Sequence, residues 1–157
     1  MTQYFQSTHI VGLQKTSIDH TRQARLLPTA LAKIHAVGKE VTVRVLVDSG
    51  SDHSYIRREV AEALDLKPNG CPTSMTIHMH GGHKKTTKVK NVTFNMSNDN
   101  DTNPITISAW SVNKVCAPLD PVQIDINRYP HLRDLKLAYD FPKDASTIDV
   151  LIGADQW

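Results

Sequence analysis

The stretch VTVRVLVDSGSDHSYI, residues 41–56, decides how the rest of the chain is read. Val41, Val43, Val45 and Val47 recur at spacing two, the pattern of a strand with one buried face. The run then breaks at Asp48-Ser49-Gly50-Ser51. A carboxylate at the end of a buried strand is costly unless it is paired, hydrogen-bonded or put to use. Gly50 lets the backbone turn tightly and brings peptide N–H groups to the Asp48 oxygens. The Ser49 hydroxyl can brace that turn, and Ser51 can bond the carboxylate from outside, which lowers its pKa. Asp, Ser and Gly are also ordinary turn residues, so these letters alone leave a simple turn open.

The flanking sequence supplies mostly strands. LPTALAKIHAV (27–37) and EVTVRVLV (40–47) both place apolar residues at spacing two around Gly38-Lys39, predicting a β-hairpin. SYIRREVAEALDL changes period, with Ile56, Val60 and Leu64 four apart, which predicts a short amphipathic helix stopped by KPNG. MTIHMHGGHKKTTKVKNVTFNM (75–96) has two alternating arms around Gly81-Gly82, a second and longer hairpin. SNDNDTNP is a turn-rich loop and ITISAWSV a strand, with Trp110 expected in the core. INRYPHLRDLKLAY predicts a helix after Pro130 with Leu132, Leu135 and Leu137 or Ala138 inward. STIDVLIGADQW is an apolar strand ending in glycine. Residues 1–25 are polar and patternless, an expected flexible arm before a domain over 26–157. The pattern is mostly β with two short helices.

Composition narrows the function. A chain of 157 residues is long enough to close one core by burial, and 39% apolar with 22% charged residues is ordinary for a globular domain. A formal net charge of +2 does not argue for nucleic acid. Cys71 and Cys116 form no staple framework, and no signal peptide or membrane-length apolar run is seen, so an intracellular protein with no membrane partner is expected. On that reading the glycosylation patterns at Asn91, Asn95 and Asn100 are chance matches. His78, His80 and His83 lack a cysteine or a fourth ligand, so no metal is expected. Ser51, Asp52, His53 and Ser54 hold triad letters as chain neighbours, which rarely converge in space.

VRVLVDSGSDHSYI resembles the active-site strand and loop of retroviral-type (retropepsin-like) aspartic peptidases. A hundred residues on, IDVLIGAD (148–155) resembles the family's second hallmark, two apolar residues and a glycine beneath the catalytic loop. HMHGGHKK (78–85) sits where the family places its flap. LLPTALAKI, HLRDLKLA and LIGAD bring the resemblance closest to the peptidase domain of Pao/BEL-type retrotransposon polyproteins, over about Leu26 to Gln156. The resemblance implies an all-β closed barrel with a flap hairpin and one or two short helices. It implies an aspartic endopeptidase with Asp48 catalytic and Ser49, Gly50 and Ser51 as the active-site loop. His80, Gly81, Gly82 and His83 would form the flap, with Leu151, Ile152 and Gly153 supporting the loop. No cofactor is implied beyond water.

The family's reaction needs two facing aspartates, and this chain has one Asp-Ser/Thr-Gly. Catalysis on this reading requires a homodimer, each subunit contributing Asp48 to a shared site whose apparent pKa values belong to the pair. The implied substrate is an extended segment of the parent polyprotein, in the cytoplasm or within a virus-like particle. The chain stops at Trp157, whereas familiar retroviral peptidases continue into a helix and an interleaved terminal strand. The expectation is either a truncated chain, inert alone, or dimerisation through other surfaces such as the arm. The basic hairpin reads first as a solvated hairpin and, more sharply, as one that favours acidic residues beside the scissile bond or RNA, although few aromatics accompany the lysines and nucleic acid is disfavoured as a partner. The alternative is a catalytically silent, domesticated module that kept the fold for interaction or dimerisation.

Overall fold

Spacing-two alternation makes the valine stretch a strand, and it pairs back on the segment before it. The computed structural model describes residues 27–78, 81–98, 103–122, 125–132, 134–135, 137–138 and 142–156. Strands β1 (Thr29–Ala36) and β2 (Lys39–Val47) form an antiparallel hairpin, in register from Thr29–Leu46 to Ala36–Lys39. Its turn is Val37-Gly38, one residue earlier than expected. Gly38 takes a φ of 69°, which glycine tolerates without cost, and Lys39 is already paired.

The chain continues through a loop at 48–54 into β3 (Tyr55–Arg57) and the six-residue helix α1 (Arg58–Ala63). Val60 and Leu64 are buried, as their spacing predicts; Ile56 is buried from the strand instead. Asp65, at φ 51°, follows the helix, and the Lys39 ammonium beside it holds its carboxyl below the usual range. The second predicted hairpin forms from β4 (Thr73–His78) and β5 (Lys84–Ser97), and β6 (Ile105–Val112) returns along β5.

The last strand, β7 (Val150–Ile152), determines the topology. It runs parallel to β2 and antiparallel to β3, so it lies between the two strands that flank the 48–54 loop. The order is β1-β2-β7-β3-β6-β5-β4, and a further β1–β5 pairing closes six strands into a ring with β4 outside. The all-β closed barrel expected from the sequence is the fold. Asp149 anchors β7 at its start. One carboxylate oxygen accepts from the Arg44 N–H at 3.0 Å, the other meets the Arg57 guanidinium at 3.1 Å. Its own peptide bonds both neighbouring strands, to the Arg44 carbonyl at 2.9 Å and from the Arg57 N–H at 2.8 Å.

Two apolar clusters result. One fills the barrel with Ile34, Val43, Val45, Ile56, Phe94 and Val150, among others. The other joins Leu46, Tyr55 and Leu151 to Ile77 and Val89 at the base of the β4–β5 hairpin, with Trp110 packed against it. Near Asp48, β2 is therefore buried on both faces, Val45 in one cluster and Leu46 in the other. That double burial is why alternation gives way there to an unbroken VLV.

The helix expected in INRYPHLRDLKLAY is absent among the described residues. A 3-10 turn, Pro130–Leu132, stands at its start, a separate one at Ile126–Arg128 precedes it, and Leu135 is 59% exposed. Proline disfavours helical geometry in the residue before it, and Tyr129 adopts φ −120° and ψ 82°, which separates the turns. The 1–25 arm lies outside the described residues. No helix among the described residues is long and apolar enough to cross a membrane.

Ile34 is fully buried in the barrel cluster, whereas Val37 at the hairpin tip is fully exposed. Ile34→Ala is expected to cost about 2–5 kcal/mol, and Val37→Ala less than about 0.5 kcal/mol. Urea denaturation with an unchanged slope checks both; equal costs would contradict this core.

Candidate active site

Asp48 leaves β2 where both faces of the strand have just been buried. Its N–H donates to the Ile152 carbonyl at 2.9 Å, which ties the end of β2 to β7. Its Oδ1 accepts from the Gly50 N–H at 2.9 Å, and its carbonyl accepts from the Ser51 N–H at 3.1 Å. No described protein group bonds Oδ2, and the residue is half-buried. The carboxylate is thus held by one oxygen and open at the other. A Cβ on Gly50 would lie 3.2 Å from Asp48 Oδ1. The glycine supplies room for the peptide to approach the carboxylate closely.

Ser51 does not bond the carboxylate as expected. It is fully buried, and its hydroxyl donates its single proton to the His53 carbonyl at 2.8 Å. The Ser51 carbonyl accepts from the Ala154 N–H at 2.8 Å. Its polar groups hold the loop's own backbone, which removes the need for it to face the acid. Ser49 is exposed beside Asp48.

Leu151, Ile152 and Gly153 lie under this loop. Leu151 is fully buried, and Gly153 passes so near that a Cβ there would sit 2.4 Å from the His53 carbonyl oxygen and 2.7 Å from that of Ser51. Backbone atoms cannot swing aside like side-chain ends, so only glycine fits this crossing. The Gly153 N–H donates to Ser54 Oγ at 3.0 Å. Ser54 in turn donates its hydroxyl to Asp155 Oδ1 at 2.6 Å and its N–H to Oδ2 at 3.0 Å, and its carbonyl accepts from the Trp110 N–H at 2.9 Å. His53 Nδ1 lies 4.0 Å from Asp155 Oδ2.

Asp155 was not singled out from sequence, and Ser54 stood out only as one of the neighbouring triad letters. The available signal was weak: a second acid two residues after Gly153, and a serine that proves fully buried. Nothing local connects positions 101 residues apart. Together they form a latch that closes the loop onto the end of β7.

The β4–β5 hairpin lies over the second apolar cluster. Gly81 and Gly82 form its tip with φ of 84° and 78°, and the His83 ring lies 3.6 Å from where a Gly81 Cβ would be. His80 lies outside the described residues. Among the described residues no three His, Cys, Asp or Glu side chains gather into a metal-binding group. Cys116 packs on the second cluster, and burial pushes its thiol up. The Lys114 charge opposes that shift and the Asp48 charge adds to it.

A family model described as aspartyl protease matches residues 32–155, from within β1 to the latch acid. No curated protein and no solved structure matches the chain.

Asp155→Ala would strip the buried Ser54 of both acceptors. We expect a loss of about 1–3 kcal/mol and faster amide exchange at Ser54 and Gly153. Gly153→Ala should cost more, because backbone must move; a milder effect than Asp155→Ala would contradict the close crossing. With a thiol reagent at neutral pH, exposed Cys71 should react in a fast phase and Cys116 in a slow one. Two equally fast phases would contradict the burial of Cys116.

Proposed function

Because the chain belongs to the aspartyl protease family, we propose that it is a homodimeric aspartic endopeptidase in which Asp48 of each subunit faces its counterpart across a two-fold axis. The observation that carries this reading is the Asp48 carboxylate. It is pinned through Oδ1 by the Gly50 N–H, open at Oδ2, and mounted on a loop latched by buried serines. Pinning one oxygen while freeing the other suits a group that must hold its place and still meet water and substrate.

One chain supplies one such carboxylate, and the reaction needs two. Like charges that close cannot both ionise, so the pair holds a single proton. The ionised member takes a proton from a water molecule as that water's oxygen attacks the peptide carbonyl carbon. The protonated member gives its proton to the carbonyl oxygen, forming a neutral tetrahedral diol. Collapse returns a proton to the leaving nitrogen, breaks the C–N bond and restores the shared proton.

The β4–β5 hairpin serves as the flap. An extended peptide pairs with backbone groups beneath it and leaves alternate side chains for pockets. Two consecutive glycines at the tip allow the approach this demands. Leu151-Ile152-Gly153 hold the loop from below, and Ser49 and Gly50 shape it. Within the family, LLPTALAKI, HLRDLKLA and LIGAD favour the Pao/BEL-type retroelement peptidases. The substrate is then the parent polyprotein, cut in the cytoplasm or inside an assembling particle.

Cleavage of a diverse peptide library between about pH 4 and 7 tests this. Wild type should show a bell-shaped profile, because the pair must hold one proton and neither zero nor two. In the dilute regime the rate should rise with the square of protein concentration. Asp48→Asn should lower it by about 10²–10⁴-fold. Equal rates in the two proteins would remove Asp48 from the chemistry.

A further inference from the structure

The charge of the chain is unevenly placed. Residues 66–98 hold five lysines and three histidines with no aspartate or glutamate, although the whole chain carries 18 basic and 16 acidic residues. The other residues are therefore net negative by three. Among the described residues, Lys84, Lys85, Lys88 and Lys90 are all exposed and none has an acidic partner.

The hairpin register sorts these lysines onto two faces. Cross-strand partners point the same way. His78–Lys84, Thr76–Thr86 and Ser74–Lys88 share one face, on which the two threonine hydroxyls meet at 2.8 Å. Ile77–Lys85, Met75–Thr87 and Thr73–Val89 share the other. Ile77 and Val89 are buried with Leu46, Tyr55 and Leu151, the residues flanking the Asp48 and Gly153 segments, and the Tyr55 hydroxyl lies 3.9 Å from Met75 Sδ. The Lys85 face is thus the one turned towards the catalytic loop. Lys85 is its one charged side chain among the paired residues 73–78 and 84–89, and it stands on the tip side of the apolar base.

We infer that Lys85 is a specificity-determining residue that selects peptides carrying an acidic side chain beside the scissile bond. This rests on the reading of Asp48 as half of a dimeric peptidase site. An ammonium with no acidic partner among the described residues, set above an extended peptide, is best met by a carboxylate from that peptide, and it penalises a lysine at the same position. Two-fold symmetry sets one Lys85 over each side of the cut, so the preference holds on both sides of the scissile bond. The histidine-bearing outer face, with Lys84 and Lys88, takes no part in it.

Adjacent charge reversals on opposite faces provide the test. Matched peptides with Glu, Gln or Lys flanking one cleavage site would be compared in two forms, one cleavable and one with a reduced, uncleavable amide read by binding. Wild type should favour Glu over Gln by about 1.5- to 5-fold, the range of an exposed ion pair, and the preference should shrink with added salt. Lys85→Glu should abolish or invert it, while Lys84→Glu keeps it. Equal responses to the two reversals, or no Glu preference in wild type, would overturn the assignment. Hydrolysis without acid preference removes this inference and leaves the peptidase reading standing. Acid-selective binding through Lys85 without hydrolysis leaves this inference standing and removes the role of Asp48.

Discussion

A three-residue strand lies between the two strands that flank the Asp48 loop, and its glycine crosses the loop's backbone at a separation no side chain would permit. A Cβ at Gly153 would fall within 2.7 Å of two carbonyl oxygens, those of His53 and Ser51. That crossing lets the Asp48 N–H reach the Ile152 carbonyl and the Ala154 N–H reach the Ser51 carbonyl. The loop is therefore shaped by hydrogen bonds to β7 as much as by its own turn. Two acids bracket the crossing. Asp149 ties the entry of β7 to Arg44 and Arg57, and Asp155 ties its exit to both donors of Ser54.

The consequence is a division of labour among short polar side chains. The serines of the loop that are buried, Ser51 and Ser54, spend their hydroxyls on structure, as buried polar groups must. Asp48, half-buried and with one oxygen uncommitted among described groups, is left to face outward. Its rigid mounting comes from the loop around it, which the buried serines hold in place.

The second apolar cluster couples this loop to the hairpin above it. Leu46 and Leu151 from the loop's supports pack with Ile77 and Val89 from the hairpin base. The hairpin is anchored where it leaves the body and bears glycines at left-handed φ at its tip. Its two faces differ in chemistry, one apolar with a single lysine and one polar with several cations, because β-pairing sends alternate residues to opposite sides.

Much of this was legible in the sequence. Spacing-two valines gave the strand into Asp48, Gly81-Gly82 marked the second hairpin, and Val60 with Leu64 gave α1, because period and turn chemistry are local properties. The leucines of HLRDLKLA misled in the same terms: their spacing suggested a helix, whereas the described residues there form only the 3-10 turn Pro130–Leu132 and leave Leu135 exposed. Ser51 was legible as a polar neighbour of the acid, but its actual partner was decided by burial and the position of the His53 carbonyl. The latch of Ser54 with Asp155 and the anchoring by Asp149 were beyond any local reading, since their partners lie about a hundred residues away. The sequence by itself determined which segments are strands and which carboxylate ends one. Only the tertiary structure decided which residues hold that carboxylate in place, because that depends on a strand from the far end of the chain sliding between β2 and β3.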